Sequence, residues 1–287
     1  MPTTTPPHWD WEISNRASWW DFSPRELWAY RHLVAGLVRR DFLVGYQQTV
    51  LGPLWLLLQP VLTMLTYVVV FGKVVGIGTG TAPPVLFYLA GVVLWNLFND
   101  AFTGISTSFR DNAHLFSKVY FPRLVMPGAL LGGGLVSFGI QLAFALLLLA
   151  YYRLCTPWGA APVGWGGLLA VPLATTLVAA QALAWGLLFS VLTGKYRDVK
   201  FVVALGVRLL MFLTPVLYPV QYVAEKWRWV VQLNPLTVLF ELFRGGLLGE
   251  GVAPAGQVLY SAVFTVGLLL AALLIYNKQV GRLIDVV

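Results

Sequence analysis

LGPLWLLLQPVLTMLTYVVVF, residues 51–71, contains no charged side chain. A helix rises 1.5 Å per residue, so about 20 such residues match the ~30 Å hydrocarbon core of a bilayer. In lipid every backbone amide must be paired within its own segment, which makes the stretch a transmembrane helix. Pro53 and Pro60 fall in its first half and predict a kink, with neighbouring groups satisfying the freed carbonyls. Apolar runs of the same kind follow at about 85–105, 125–151, 168–192, 201–219 and 258–276. Together they predict an all-α polytopic membrane protein of six transmembrane helices. Composition agrees: 58% of residues are hydrophobic, only 11% are charged, and the charges gather between the runs.

The segments between the runs complete the organisation. Residues 1–22 are Pro- and Thr-rich and lack the basic start and apolar core of a signal peptide, so they read as a flexible cytosolic tail. Residues 23–287 form a single transmembrane domain. Ser23 and Pro24 open a helix over about 23–43, Ser23 as cap and Pro24 in the first turn. Leu27, Tyr30, Leu33, Val34, Leu37 and Val38 share one face of it, and Arg25, His32, Arg39 and Arg40 the other, as expected of an amphipathic helix on the membrane surface. After the second run, Asp111 and Asn112 cap a short helix carrying Leu115, Phe116, Val119 and Tyr120, stopped by Pro122. Its apolar face calls for the bilayer surface or a cytosolic partner protein. Asn234 and Pro235 start another helix, Leu236 to Leu248, ended by Gly249 or Gly251, whose apolar character predicts re-entry into the membrane from outside. Thirteen of the 19 Lys and Arg fall on one side of the six-span layout, which places both termini in the cytosol. The same bias accounts for the formal charge of +7, with no basic stripe interleaved with aromatics to call for nucleic acid.

Enzymatic chemistry finds little support. No GxxxxGK[ST] loop is present; Gly194 and Lys195 are followed by Tyr196, so this chain does not bind ATP through a P-loop. There is no HExxH, no GxSxG and no Cys/His cluster. His8, His32 and His114 lie far apart, and Cys155 is the only cysteine. The expectation is a transport subunit that binds no metal or cofactor of its own. Asp100 and Arg208 sit inside apolar runs, where charge is costly; they face a water-filled path or pair with each other or with backbone. Aromatic side chains within the spans either pack the core or line a conduit, where their faces stack on the C–H faces of sugars. Tyr67, Trp95, Phe98 and Phe102 are the candidates for that path.

Four stretches in register carry a family resemblance. LVRRDFLVGYQQTVLGPLWLLLQP (37–60) resembles the approach to the first span of ABC-2 type permeases that export polysaccharides. RDNAHLFSKVYFPRLVMP (110–127) is similar to their first cytosolic loop, YRDVKFVVALGVRLLMFLTPVLYP (196–219) to their fourth-to-fifth span connection, and LNPLTVLFELFRGGLLG (233–249) to their external segment. The resemblance covers the chain from about Ser23 to its end and is nearest to permeases for O-antigen, capsular polysaccharide and teichoic acid. It implies a homodimer in the cytoplasmic (inner) membrane, joined by two copies of a separate ATPase that binds ATP and Mg. Asn112, Leu115, Phe116, Lys118 and Tyr120 would seat in that ATPase. A lipid-linked glycan would enter near Arg39, Arg40 and Arg123, and Tyr218, Asn234, Pro235 and Arg244 would belong to an external gate of re-entrant helices. Relatives often carry basic residues around the tyrosine matching Tyr46. This chain has Gly45, Gln47 and Gln48 there, which moves the phosphate-holding role to Arg39 and Arg40. The rivals are a small-drug or lipid exporter of the same architecture, a membrane glycosyl or acyl transferase, and a proton-coupled carrier. The second lacks convergent acids and the third a chain of ionisable residues.

Overall fold

The computed structural model describes residues 28–111, 122–156, 158, 165–249 and 253–284. Among these residues the fold is all-α: nine α-helices, short 3-10 and π turns, and no strand. The expected cap at Ser23 and Pro24 and the helix around 112–120 fall outside the described residues.

Helix α1 (Arg31–Tyr46) presents a half-buried stripe of Val34, Leu37, Val38, Phe42 and Tyr46 at helical spacing. That stripe lies along α4 (Val125–Cys155), while Arg39 and Arg40 stay exposed on the other side. The chain then turns at Gly52, whose φ of 54° is easy only for glycine, into a 3-10 turn and α2 (Trp55–Tyr67). Pro60 is accommodated, buried, inside α2, and the helix runs on as a π turn over Val68–Val74.

Helix α3 (Pro84–Asp111) is the pillar of the molecule. From Leu86 to Trp95 it is buried on every side, with α4, α5 (Trp165–Lys195), α2 and α8 (Pro235–Leu248) packed around it. Lipid offers no hydrophobic drive between helices, so close fit must hold them. Gly186 on α5 supplies such a fit, since a Cβ there would come within 2.7 Å of Ile105. Helix α9 (Ala255–Ile284) joins both α5 and α8 through polar groups: Gln181 Nε2 of α5 donates to Thr265 Oγ1 at 2.8 Å, and Ser261 Oγ donates to the Pro235 carbonyl at the start of α8 at 2.8 Å.

Five helices are long and apolar enough to cross a bilayer: Gly52–Val74, Pro84–Asp111, Val125–Cys155, Leu169–Lys195 and Ala255–Gln279. The run expected to span over 201–219 differs. It forms α6 (Val199–Leu213), whose 15 residues reach only about 22 Å at 1.5 Å each. Pro215 is the reason: it disfavours helical backbone at the residue before it, and Thr214 is extended with ψ 140°. Three further pieces follow, a 3-10 turn (Val220–Tyr222), α7 (Glu225–Leu233) and α8.

Contacts order the helices into two ends. At the upper end, residues 79–81 meet 219–221, α7 and the start of α9, and Trp158 Nε1 donates to the Thr81 carbonyl. At the lower end, Tyr276 Oη donates to the Arg123 carbonyl, its ring stacks on Phe109, and Thr193 hydrogen-bonds to the Ser106 carbonyl. Helices α3, α4, α5 and α9 run between these ends. Beyond the end of α6, Pro215 and Val216 lie against Arg244, which also borders the upper-end residues.

Candidate translocation path and gate

The lower half of α3 breaks the burial of the upper half along one stripe. Asn96, Asn99, Asp100, Thr103, Thr107 and Arg110 recur at three- and four-residue spacing and are half-buried or exposed, while Leu97, Phe98, Ala101, Phe102 and Ile105 between them are buried. Every accessible side chain in this run is polar, in a helix otherwise apolar enough to span. Polar and charged groups are expensive against hydrocarbon, so the stripe faces water or another chain. Asn96 Nδ2 donates to Gln141 Oε1 of α4 at 3.1 Å, and Asn99 Nδ2 to Asp100 Oδ1 at 2.9 Å. Among the described residues Asp100 makes no ion pair with Arg208, which is exposed on α6.

Neighbouring elements frame the stripe. Tyr46 at the end of α1 lies close enough that, after burial, the Asp100 carboxylate further raises its phenol above the ordinary tyrosine value. Both α2 and α6 pack on α3 and meet each other where Tyr67 Oη contacts Met211 Sδ at 3.8 Å. Trp95, Phe98 and Phe102, in contrast, belong to the chain's own interior. Trp95 packs on Phe240 of α8, Phe98 on Phe102, and Phe102 edge-on to Phe189 of α5. Arg39 and Arg40 are exposed beside one another, Arg40 bonded to Asp41 at 2.7 Å, and Arg123 is half-buried at the lower end.

The upper end is organised by Arg244. It is buried, and its guanidinium stacks on Phe87 with 3.8 Å to the ring centroid. Its Nη1 and Nη2 donate to the carbonyls of Pro215 and Val216 at 2.6 and 2.7 Å. These are carbonyls that the break after α6 leaves without helical partners. Gly91 makes room: a Cβ there would lie 2.5 Å from Arg244 Nη2 and 2.9 Å from the Val216 oxygen. Asn234 caps α8 in the expected way, accepting from Leu236 N–H at 3.1 Å with Pro235 at the first position, and its amide donates to Thr214 Oγ1 at 2.9 Å. Tyr218 Oη donates to the Phe212 carbonyl at 2.9 Å. Three of the expected gate residues thus converge on the Thr214–Tyr218 turn, and α8 ends at Gly249 with φ 76°.

Comparison with known proteins decides the family. The profile of the ABC-2 type transporter matches residues 32–248, most of the chain. The chain belongs to the ABC-2 type transporter family. It is 27% identical over 257 residues to the "O-antigen export system permease protein RfbA" of Myxococcus xanthus, covering 89% of this chain and 95% of that protein. A protein of the same name from Klebsiella pneumoniae is 27% identical over 260 residues, with 88% and 94% covered. "Inner membrane transport permease YadH" of Escherichia coli strain K12 is 24% identical over 206 residues, with 69% and 77% covered. As a member of this family the chain is a multi-pass membrane protein and a transport subunit. The expected ATPase-coupling residues, Asn112, Leu115, Phe116, Lys118 and Tyr120, lie outside the described residues. Sequence points to Asp100 and Arg244 individually, but not to the rest of the stripe on α3 or to the cluster that Phe87 and Gly91 make with Arg244. The stripe had a readable signal, six polar residues at helical spacing; the cluster had none, because its members lie far apart in the chain.

Proposed function

We propose that this chain is the membrane subunit of an ATP-driven exporter that carries a lipid-linked, O-antigen-like polysaccharide across the cytoplasmic membrane. Two copies of the chain form the conduit, and two copies of a separate ATPase bind ATP and Mg. Both termini lie in the cytosol, so the lower end is the cytosolic one. The polysaccharide cargo follows from the relatives' names together with the near-complete overlap of the chains.

The observation that carries the reading is the accessible stripe of Asn96 to Arg110. A chain of hydroxyl-rich sugars needs a wall that exchanges hydrogen bonds at many depths without holding any one unit. Short amides and hydroxyls at successive helical turns provide that wall. The stripe of one copy, facing that of a second, makes the cytosolic half of the path. Above it, the Tyr67–Met211 contact between α2 and α6 narrows the way, and the Thr214–Tyr218 turn with α7 and α8 closes the outer end. Arg39, Arg40 and Arg123 receive the pyrophosphate of the lipid carrier at the cytosolic face. Residues 112–120 pass ATPase closure to α3, which they follow directly. Conformational work enters only through contacts that differ between the open and closed states.

The test is export in cells. Replacing Asn99 and Thr103 with Leu makes part of the wall apolar and should abolish surface glycan while the protein still assembles with its ATPase. Normal export from that variant rejects the path.

A further inference from the structure

A second polar site lies at the outer end, apart from the stripe. A cavity of about 670 Å³ opens between the loop at Thr79–Thr81, helices α7 and α8, and the start of α9. This falls within the roughly 300–1,000 Å³ usual for small-molecule sites. Four half-buried side chains line it: Arg228 and Gln232 from α7, Glu241 from α8 and Gln257 from α9. None of the four has a side-chain hydrogen bond to the described residues, and the Arg228 Nε is fully shielded. A shielded nitrogen without a partner forfeits its hydration, so Arg228 calls for an acceptor beyond the described residues, while the other three groups keep their polar atoms open to the cavity. Their convergence from three separate elements on one cavity points to a ligand.

The chemistry of the four groups selects its class. Arg244 also borders the cavity, but its terminal nitrogens are committed to the Pro215 and Val216 carbonyls and its face to Phe87. What remains on offer is one guanidinium, one carboxylate and two amides, with donors and acceptors in balance. A phosphate would meet the Glu241 carboxylate, and a lipid tail would leave the two amides and the Arg228 guanidinium unpaired. Vicinal hydroxyls each donate and accept, and they match the set. We infer that this cavity binds a pyranose unit of the emerging glycan through Arg228, Gln232, Glu241 and Gln257. This rests on the polysaccharide reading and adds to it a place where the leading sugars are held outside, so that they do not slip back between strokes.

Photo-cross-linking in cells that make the native glycan tests the site. A benzophenone amino acid goes at Gln221, which lines the cavity but is not one of the four groups, or at Thr103 in the stripe. The exposed Leu147 of α4 serves as the control. Expected are slow-migrating, glycan-bearing adducts from Gln221 and Thr103 and none from Leu147. Adducts at Thr103 without any at Gln221 overturn the cavity site and leave the path intact. Absence at both positions rejects the polysaccharide path and the cavity site with it. Adding Arg228→Ala and Glu241→Gln should remove the Gln221 adduct and retain that at Thr103, which also shows that the variant is folded. An undiminished Gln221 adduct in that variant overturns the assignment of these groups.

Discussion

Arg244 uses each part of its guanidinium differently, and its neighbours are matched to that use. Two nitrogens hold the carbonyls of Pro215 and Val216, and the flat face lies on Phe87. Lysine, with one ammonium and no planar face, cannot reproduce this. Arg244→Lys should therefore lower the thermal unfolding midpoint of the purified protein, with a loss of about 1–3 kcal/mol for the acceptor left unpaired. Gly91→Ala should cost a similar 1–3 kcal/mol, roughly the penalty of overpacking, because its methyl group enters the space of Arg244 Nη2. The two changes act on one cluster, so the double variant should lose less than the sum. Full additivity in the midpoints would mean that the sites are independent.

At the scale of elements, α8 depends on a cap that also ties it to the end of α6. Asn234 accepts from Leu236 N–H and donates to Thr214. Asn234→Ala removes both bonds and should cost about 1 kcal/mol or somewhat more. Asn234→Asp keeps the cap, loses the donor, and should fall between wild type and alanine in urea or thermal melts. Coupling belongs to this scale too. The segment after α3 carries Leu115 and Phe116, and replacing both with Ser should leave ATP hydrolysis by the partner running while export stops. Assays of ATPase turnover and surface glycan on the same cells separate the two, and retained export would place coupling elsewhere.

At the scale of the whole molecule, one helix face is left uncovered. Phe201, Val202, Leu205, Leu209 and Phe212 are all exposed on α6, and Arg208 sits among them. An apolar face around an arginine suits a second copy and a wet path rather than hydrocarbon, where a mid-bilayer arginine costs about 2.5–3.5 kcal/mol on insertion scales. A cysteine at Leu209, in a Cys155→Ser background because Cys155 is itself exposed, should form a disulfide-linked dimer under mild oxidation. The same change at Leu147, on the far-exposed face of α4, should not. Equal cross-linking at both would show only collision in the membrane.

Apolar length, helical periodicity and cap residues were enough to reveal a bundle of apolar helices, the amphipathic helix α1 and the Asn234–Pro235 start of α8. Each is a local consequence of bilayer thickness, helical periodicity or capping, and such constraints act within one segment. They did not reveal that the run over 201–219 stops being helical at Thr214, because a proline within an apolar stretch is compatible with either a kink or an end. That outcome depended on Arg244, nearly 30 residues later, being placed to receive the carbonyls the break released. Nor could hydropathy tell whether Trp95, Phe98 and Phe102 face a path or the core. The facing positions are filled by Phe240 and Phe189 from helices far along the chain, and only tertiary packing brings those rings together. Residue type set which segments enter lipid; the contacts between distant segments decided which of their faces remain open.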